Sequence, residues 1–207
     1  IPATTTDTVA TADTLALTNA MANSTVAFGA LSTAGSLYTV ALADASGSAD
    51  VINYVLASTT GAGAVSDSTP GTAINAGTIT TDAVETFNIT STAVDVDGAT
   101  NVITANGNAV TTINVSGNAG VTLTSTATTL KTVDASAMTA GTLTFTASNA
   151  SMTVKGGAGN DIITIAATAD GSKFYGNGGN DTFIINGGAD LISIDGGAGA
   201  DKFEFNG

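Results

Sequence analysis

From Val84 onward, apolar residues recur at every second position in short runs, and the runs fall into two alternating series. One series holds Phe87 and Ile89, Ile113 and Val115, Val133 and Ala135, Met152 and Val154, then Phe174 and Ile194. The other holds Val121 and Leu123, Leu143 and Phe145, Ile163 and Ile165, Phe183 and Ile185, and Phe203 and Phe205. A period of two is the mark of a strand with one buried face. Within each series the step is close to twenty residues, apart from a longer first one near VDVDGATNVITANGNA. Strand, turn, strand and turn, repeated at a fixed step, make the coil of a parallel β-solenoid or β-roll. The expected class is therefore all-β, with about 20 residues per coil.

The N-terminal part is harder to read. The stretch TLALTNAMANSTVAFGAL fits either a short helix or two strands. Ser36 to Leu42 and Val51 to Ser58 read as strands, with Ala43 to Asp50 as the turn between them. Thr59 to Thr78 reads as a long polar loop with a Pro70-Gly71 turn signal, a protrusion or a boundary. This divides the chain into a β-rich segment (1–83) that can continue the solenoid, metal-poor coils (84–155) and a glycine-rich roll (156–207). The pattern also starts and stops partway through a coil, so the chain reads as a piece of a longer protein.

The glycine-rich roll is a gapless repeat of twenty residues: GGAGNDIITIAATADGSKFY from Gly156, GNGGNDTFIINGGADLISID from Gly176 and GGAGADKFEFNG from Gly196. Gly156, Gly176 and Gly196 superpose, as do Gly159, Gly179 and Gly199, and Asp161, Asp181 and Asp201. Gly157 and Gly197 complete the double glycine, where the middle repeat has Asn177. Glycine lets the backbone turn tightly and point carbonyl oxygens inward. The Asp adds a carboxylate, and carbonyl and carboxylate oxygens are the hard ligands that Ca²⁺ takes. Carboxylates stacked at the strand spacing, about 4.8 Å, repel one another unless a cation lies between them. A second, leaner ladder holds Asp170 and Asp190, nine residues after Asp161 and Asp181. Ordinary Asp-Gly turns would also account for these residues. The three nonapeptides in register favour calcium for the first ladder. For the leaner one, with no glycine in AATAD, both readings stand.

Composition narrows the chemistry. The formal net charge is −13, with Lys131, Lys155, Lys173 and Lys202 as the only cations, which excludes an electrostatic footprint for nucleic acid. Without Cys or His, ordinary zinc and most transition-metal sites are excluded, and oxygen coordination remains. No apolar run is long enough to span a membrane, and no signal peptide is evident. Nothing matches a catalytic motif, and there is no His to act as a base. We therefore expect no enzyme and no catalytic residue. DVDG at Asp95 to Gly98, followed by Asn101, lacks the bidentate Glu of an EF-hand loop and reads as a turn. Asp44 and Asp50 flank a Gly-Ser turn and offer a minor alternative ion site. Asp134 reads as a turn cap. Sequons at Asn23, Asn88, Asn114 and Asn149 are expected by chance in so Ser/Thr-rich a chain.

The repeats match the pattern G-G-x-G-x-D-x-U-x, with U a large apolar residue, and so resemble the calcium-binding RTX β-roll. AVETFNIT (Ala83 to Thr90), NVSGNAGVTLTST (Asn114 to Thr126), LKTVDASAMTAGTLTF (Leu130 to Phe145) and VKGGAGNDIIT (Val154 to Thr164) occur in an order similar to RTX-type S-layer proteins of Gram-negative bacteria. GSADVINYVL (Gly47 to Leu56) resembles the preceding segment of that family. The resemblance covers roughly residues 36 to 207. It implies type I secretion, folding in extracellular calcium, and lateral self-assembly on the cell surface. Contact with cell-surface polysaccharide would then come from regions outside this chain. It assigns the metal-binding positions to Gly156, Gly157, Gly159, Asp161, Gly176, Gly179, Asp181, Gly196, Gly197, Gly199 and Asp201. An RTX adhesin, or the calcium-dependent secretion module of a hydrolase, is the alternative.

Overall fold

The computed structural model describes residues 14–28, 37–58, 73–93, 100–166, 168–188 and 190–207. Among these there is no helix, and seventeen strands follow one another. They are β1 (Thr14–Ala20), β2 (Thr25–Phe28), β3 (Leu37–Leu42), β4 (Val51–Ser58), β5 (Asn75–Thr80), β6 (Thr86–Ala93), β7 (Thr100–Asn106), β8 (Thr112–Gly117) and β9 (Gly120–Thr124). Then come β10 (Thr132–Met138), β11 (Leu143–Ala147), β12 (Thr153–Lys155), β13 (Ile162–Ile165), β14 (Lys173–Tyr175), β15 (Thr182–Asn186), β16 (Ser193–Asp195) and β17 (Lys202–Asn206). The odd-numbered strands form one nine-stranded sheet in chain order, the even-numbered strands an eight-stranded sheet, and every pairing is parallel. The chain crosses from one sheet to the other at each turn, which is the architecture of a β-solenoid. Both sheets run on through residues 83 and 155 without interruption.

The alternation of small apolar and polar residues decides which face is inside. In β6 burial alternates strictly, with Phe87, Ile89, Ser91 and Ala93 turned inward. The register stacks Ile52, Phe87, Ile113, Val133, Val154 and Phe174 into one column, and each is wholly shielded from water. In the facing sheet Ile103, Leu123, Phe145, Ile163, Phe183 and Phe203 stack likewise. The two series meet in one continuous apolar core from Val26 to Ile185. Each coil is too thin to bury its own apolar face, so each residue is covered by the coils above and below. The columns read from the sequence run as expected in the first series except at β12, where Val154 rather than Met152 pairs with Val133. In the second, β13 sits two residues deeper than simple succession suggests: Ile163 pairs with Phe145, and Ile165 with Ala147.

The N-terminal stretch that fitted helix or strands forms the strands β1 and β2, and it opens both sheets. The expected loop from Thr59 to Thr78 needs correction at its end. Asn75 to Thr78 belong to β5, where Asn75 and Gly77 read as turn residues but Ala76 and Ile79 are buried. The Pro70-Gly71 turn and DVDG at Asp95 to Gly98 lie outside the described residues.

The outer face of the even-numbered sheet carries an amide ladder. Asn88 Nδ2 donates to Asn53 Oδ1 at 3.0 Å, and Asn114 Nδ2 donates to Asn88 Oδ1 at 2.9 Å. Two of the four sequons thus have their amide nitrogens committed between coils. A third, Asn149, donates to the carbonyls of Ala127 and Leu130. Further along the same column Asp134 caps Ser136 and receives Lys155 Nζ at 2.7 Å.

One turn stores strain. Gly171 sits at φ 68, and Leu191, at the same place in the next coil, has φ 57 with its side chain 92% exposed. A left-handed residue with a Cβ costs about 1–2 kcal/mol, so Leu191→Gly is expected to stabilise the last coils by about 1 kcal/mol. A thermal melt that falls for this variant would contradict the strain.

Candidate metal centre

The site begins as a core column. Two residues before the column Ile103, Leu123, Phe145, Ile163, Phe183 and Phe203, and so on the same inward face, stand Asn101, Val121, Leu143, Asp161, Asp181 and Asp201, each stacked on the last. The column changes chemistry along the stack. Val121 and Leu143 fill it with hydrocarbon, whereas the last three coils place carboxylates at the same inward position. Asp161 and Asp181 are each 1% exposed, and a buried carboxylate needs partners for its charge.

Much of that partnership is backbone. Leu143 N–H donates to Asp161 Oδ1 at 2.6 Å, Asp161 N–H to Asp181 Oδ1 at 2.7 Å, and Asp181 N–H to Asp201 Oδ1 at 3.0 Å. Each carboxylate therefore holds the coil before it. The neighbouring residue works in the opposite direction: Asn180 N–H donates to Asn160 Oδ1 and Ala200 N–H to Asn180 Oδ1. The Asn-Asp pairs at 160–161 and 180–181 sew adjacent turns together from both sides. Asn160 and Asn180 were not singled out from the sequence, although the repeated Asn-Asp dipeptide was the available signal.

The first glycine of each repeat leaves room for oxygens. A Cβ on Gly156 would lie 2.1 Å from Asp161 Oδ2 and 2.7 Å from Gly176 O. On Gly176 it would lie 2.1 Å from Asp181 Oδ2 and 2.2 Å from Gly196 O, and on Gly196 it would lie 2.2 Å from Asp201 Oδ2. A carboxylate oxygen and, in the first two, the carbonyl of the next coil thus converge over each glycine. No side chain other than glycine leaves this cradle open. Gly159, Gly179 and Gly199 have a different task. Their Cα atoms pass against the carbonyls of Gly141, Gly159 and Gly179, where a Cβ would be within 2.3 Å of backbone oxygen. Gly179 and Gly199 also take φ 110 and 142.

Asp181 Oδ2 is buried and receives no hydrogen bond. An oxygen of this kind, facing a carbonyl in a cradle without a Cβ, suits a hard cation, and the donor set of carboxylate and carbonyl is the one calcium takes. Among the described residues no three acidic side chains gather at one point, so carbonyls would have to supply most of the coordination.

Burial pushes the Asp161 carboxyl up from an ordinary 3.8 to about 6, against the lowering effect of the Leu143 and Gly157 N–H groups, and the charge of Asp181 adds to the rise. Asp181 is raised by burial first and by Asp201 in addition, against the hydrogen bond from Asp161. The folded form of Asp161 thus holds its proton more tightly than the unfolded form. Its contribution to stability is full below about pH 3.8 and is lost as pH rises through about 6. In metal-free buffer the C-terminal coils are expected to melt at a higher temperature at pH 4 than at pH 7. Circular dichroism melts at both values check this, and a higher midpoint at pH 7 would count against it.

The leaner ladder is built differently. Asp170 and Asp190 are exposed, and Asp190 N–H donates to Asp170 Oδ1 at 2.7 Å. That bond joins the two coils on their exposed side. Asp44 closes on the N–H and hydroxyl of Ser46, while the Asp50 N–H turns to Glu85 Oε2, so the two are not drawn into one pair by these contacts. Asp50 Oδ2 has no partner, yet the residue is only partly buried. Among the described residues no helix is long and apolar enough to cross a membrane. No protein-family model and no curated protein matches this chain, so the work of the site rests on the geometry of its own residues.

Proposed function

We propose that this chain is the structural, calcium-stabilised part of an extracellular surface protein, an S-layer subunit or related filament, without enzymatic activity. The observation that carries the calcium reading is Asp181 Oδ2, buried and unpartnered, facing Gly196 O over Gly176. The ladder of Asp161, Asp181 and Asp201 would draw the ions, with Asp181 Oδ2 and the carbonyl of Gly196 as the ligands its hydrogen bonds leave open. A bound ion would supply the positive charge that stacked carboxylates lack. The N–H groups of Leu143, Asp161 and Asp181 already orient the carboxylates, so little reorganisation accompanies binding.

Coupling metal binding to folding keeps such a chain open in a calcium-poor cytoplasm and closes it outside the cell. The net charge of −13 would oppose close packing of copies, and bound divalent ions would offset part of it. The S-layer assignment rests further on the resemblance of the blocks upstream of Gly156.

The test is a calcium titration of the purified chain followed by circular dichroism and negative-stain electron microscopy. Strand signal and ordered assemblies are expected at millimolar Ca²⁺, with loss of both on chelation. At a free concentration a hundredfold above Kd, one site stabilises the fold by about 2.7 kcal/mol. Folding without assembly would favour an adhesin or secretion module. Equal folding and stability with and without calcium would remove calcium from the account.

A further inference from the structure

Building on the calcium reading, we infer that the two inter-coil cradles of the roll are unequal, and that calcium is taken at Asp181 while the chain's own N–H groups close the equivalent place at Asp161. The sequence repeat makes the two look alike. The hydrogen bonds do not. Asp161 Oδ1 accepts Leu143 N–H, and its Oδ2 accepts Gly157 N–H, both at 2.6 Å. Asp181 Oδ1 accepts Asp161 N–H at 2.7 Å, but its Oδ2 receives nothing although the side chain is 99% buried (1% exposed).

The difference traces to the second position of each repeat. Gly157 lies against the preceding coil, where a Cβ would meet that of Met138 at 2.8 Å, and it is not left-handed. Its N–H points to its own carboxylate. Asn177 takes φ 70, and its N–H leaves Asp181 Oδ2 without a donor. Its side chain turns back to the coil before, where Nδ2 donates to Gly156 O at 2.7 Å. Asp161 is thus held by two N–H groups, while the Asn177 amide ties the second repeat to the carbonyl that opens the first. At the second repeat the carboxylate oxygen and Gly196 O face each other with no donor between them.

A charged oxygen already holding a short, charge-assisted hydrogen bond gives up that bond to bind a cation, whereas an orphaned one gives up nothing. Calcium therefore enters first at Asp181. The coil of Gly156 to Asp161 belongs, in its energetics, with the metal-independent coils before it. Asn177 marks the step beyond which order depends on the ion.

The test compares the whole chain with Asp161→Asn and Asp181→Asn by Tb³⁺ luminescence and Ca²⁺ competition, and by melting in chelator. Asp181→Asn is expected to weaken the tightest site by at least about tenfold and to leave the metal-free melt nearly unchanged. Asp161→Asn is expected to lower the metal-free melt and to change the affinity by less than about threefold. Should Asp161→Asn fail to fold, hydrogen exchange on the unaltered chain decides. Added Ca²⁺ is expected to protect amides in 176–207 well above those in 143–166. Equal loss of affinity in both variants, or equal protection of both segments, overturns the inequality while leaving calcium binding intact. An unaltered chain that binds neither ion overturns both.

Discussion

Phe87→Ala is expected to lose about 3–5 kcal/mol of stability, the range for emptying a well-packed aromatic site. Phe87 is wholly buried, stacked between Ile52 and Ile113, with its ring edge-on to Tyr54 at 5.5 Å between centroids. Its far end also lies 3.3 Å from where a Cβ on Gly107 would stand, so the ring spans toward the opposite turn. A coil this thin has no second layer to collapse into the space. Because solenoid stability is a sum of coils and interfaces, the loss should be local. Hydrogen exchange is expected to rise across β4, β6 and β8 before it rises in β14 to β17. A loss under about 1 kcal/mol in chemical denaturation would mean that this column does not hold the coils together.

The second large effect is expected at Asn101. Its amide sits in the same inward column as the three Asp residues and is wholly buried. Oδ1 accepts Ile74 N–H at 2.7 Å, while Nδ2 donates to Ser91 Oγ at 2.9 Å and to Leu56 O at 3.3 Å. One side chain thus joins three segments. Leucine would match its shape and suit its apolar neighbours, and would still leave the Ile74 N–H buried without an acceptor. Asn101→Leu is therefore expected to cost about 2–4 kcal/mol, the lost bonds plus one orphaned donor. Denaturant unfolding measures it. A variant as stable as the parent would show that the network contributes no net stability.

Asn101 and Asp181 solve one problem differently. Both are polar residues on an inward column. The amide is neutral and finds all its partners within the protein. The carboxylate carries a charge, and its partners run out at Oδ2.

The amino-acid sequence by itself determined what depends on residues close in the chain. Alternation of apolar residues placed one face of each strand inside, and Phe87, Ile113, Val133 and Phe174 were legible as a column because little is inserted between their coils. The glycine-aspartate turns were legible for the same reason: a gapless step of twenty carries a local pattern into register. Where the step lengthens to 35 residues, as between Asn53 and Asn88, repetition no longer reveals which strands pair, and β5 was hidden in what read as a loop. Only the tertiary structure decided which N–H group meets which carboxylate. Asp161 and Asp181 stand in nearly identical sequence, but one turn rests on Met138 and the other on a glycine turn like itself. The Gly-to-Asn change at the second position was visible in the sequence, but only the fold showed that Gly157 N–H reaches Asp161 Oδ2 while Asn177, at φ 70, leaves Asp181 Oδ2 open.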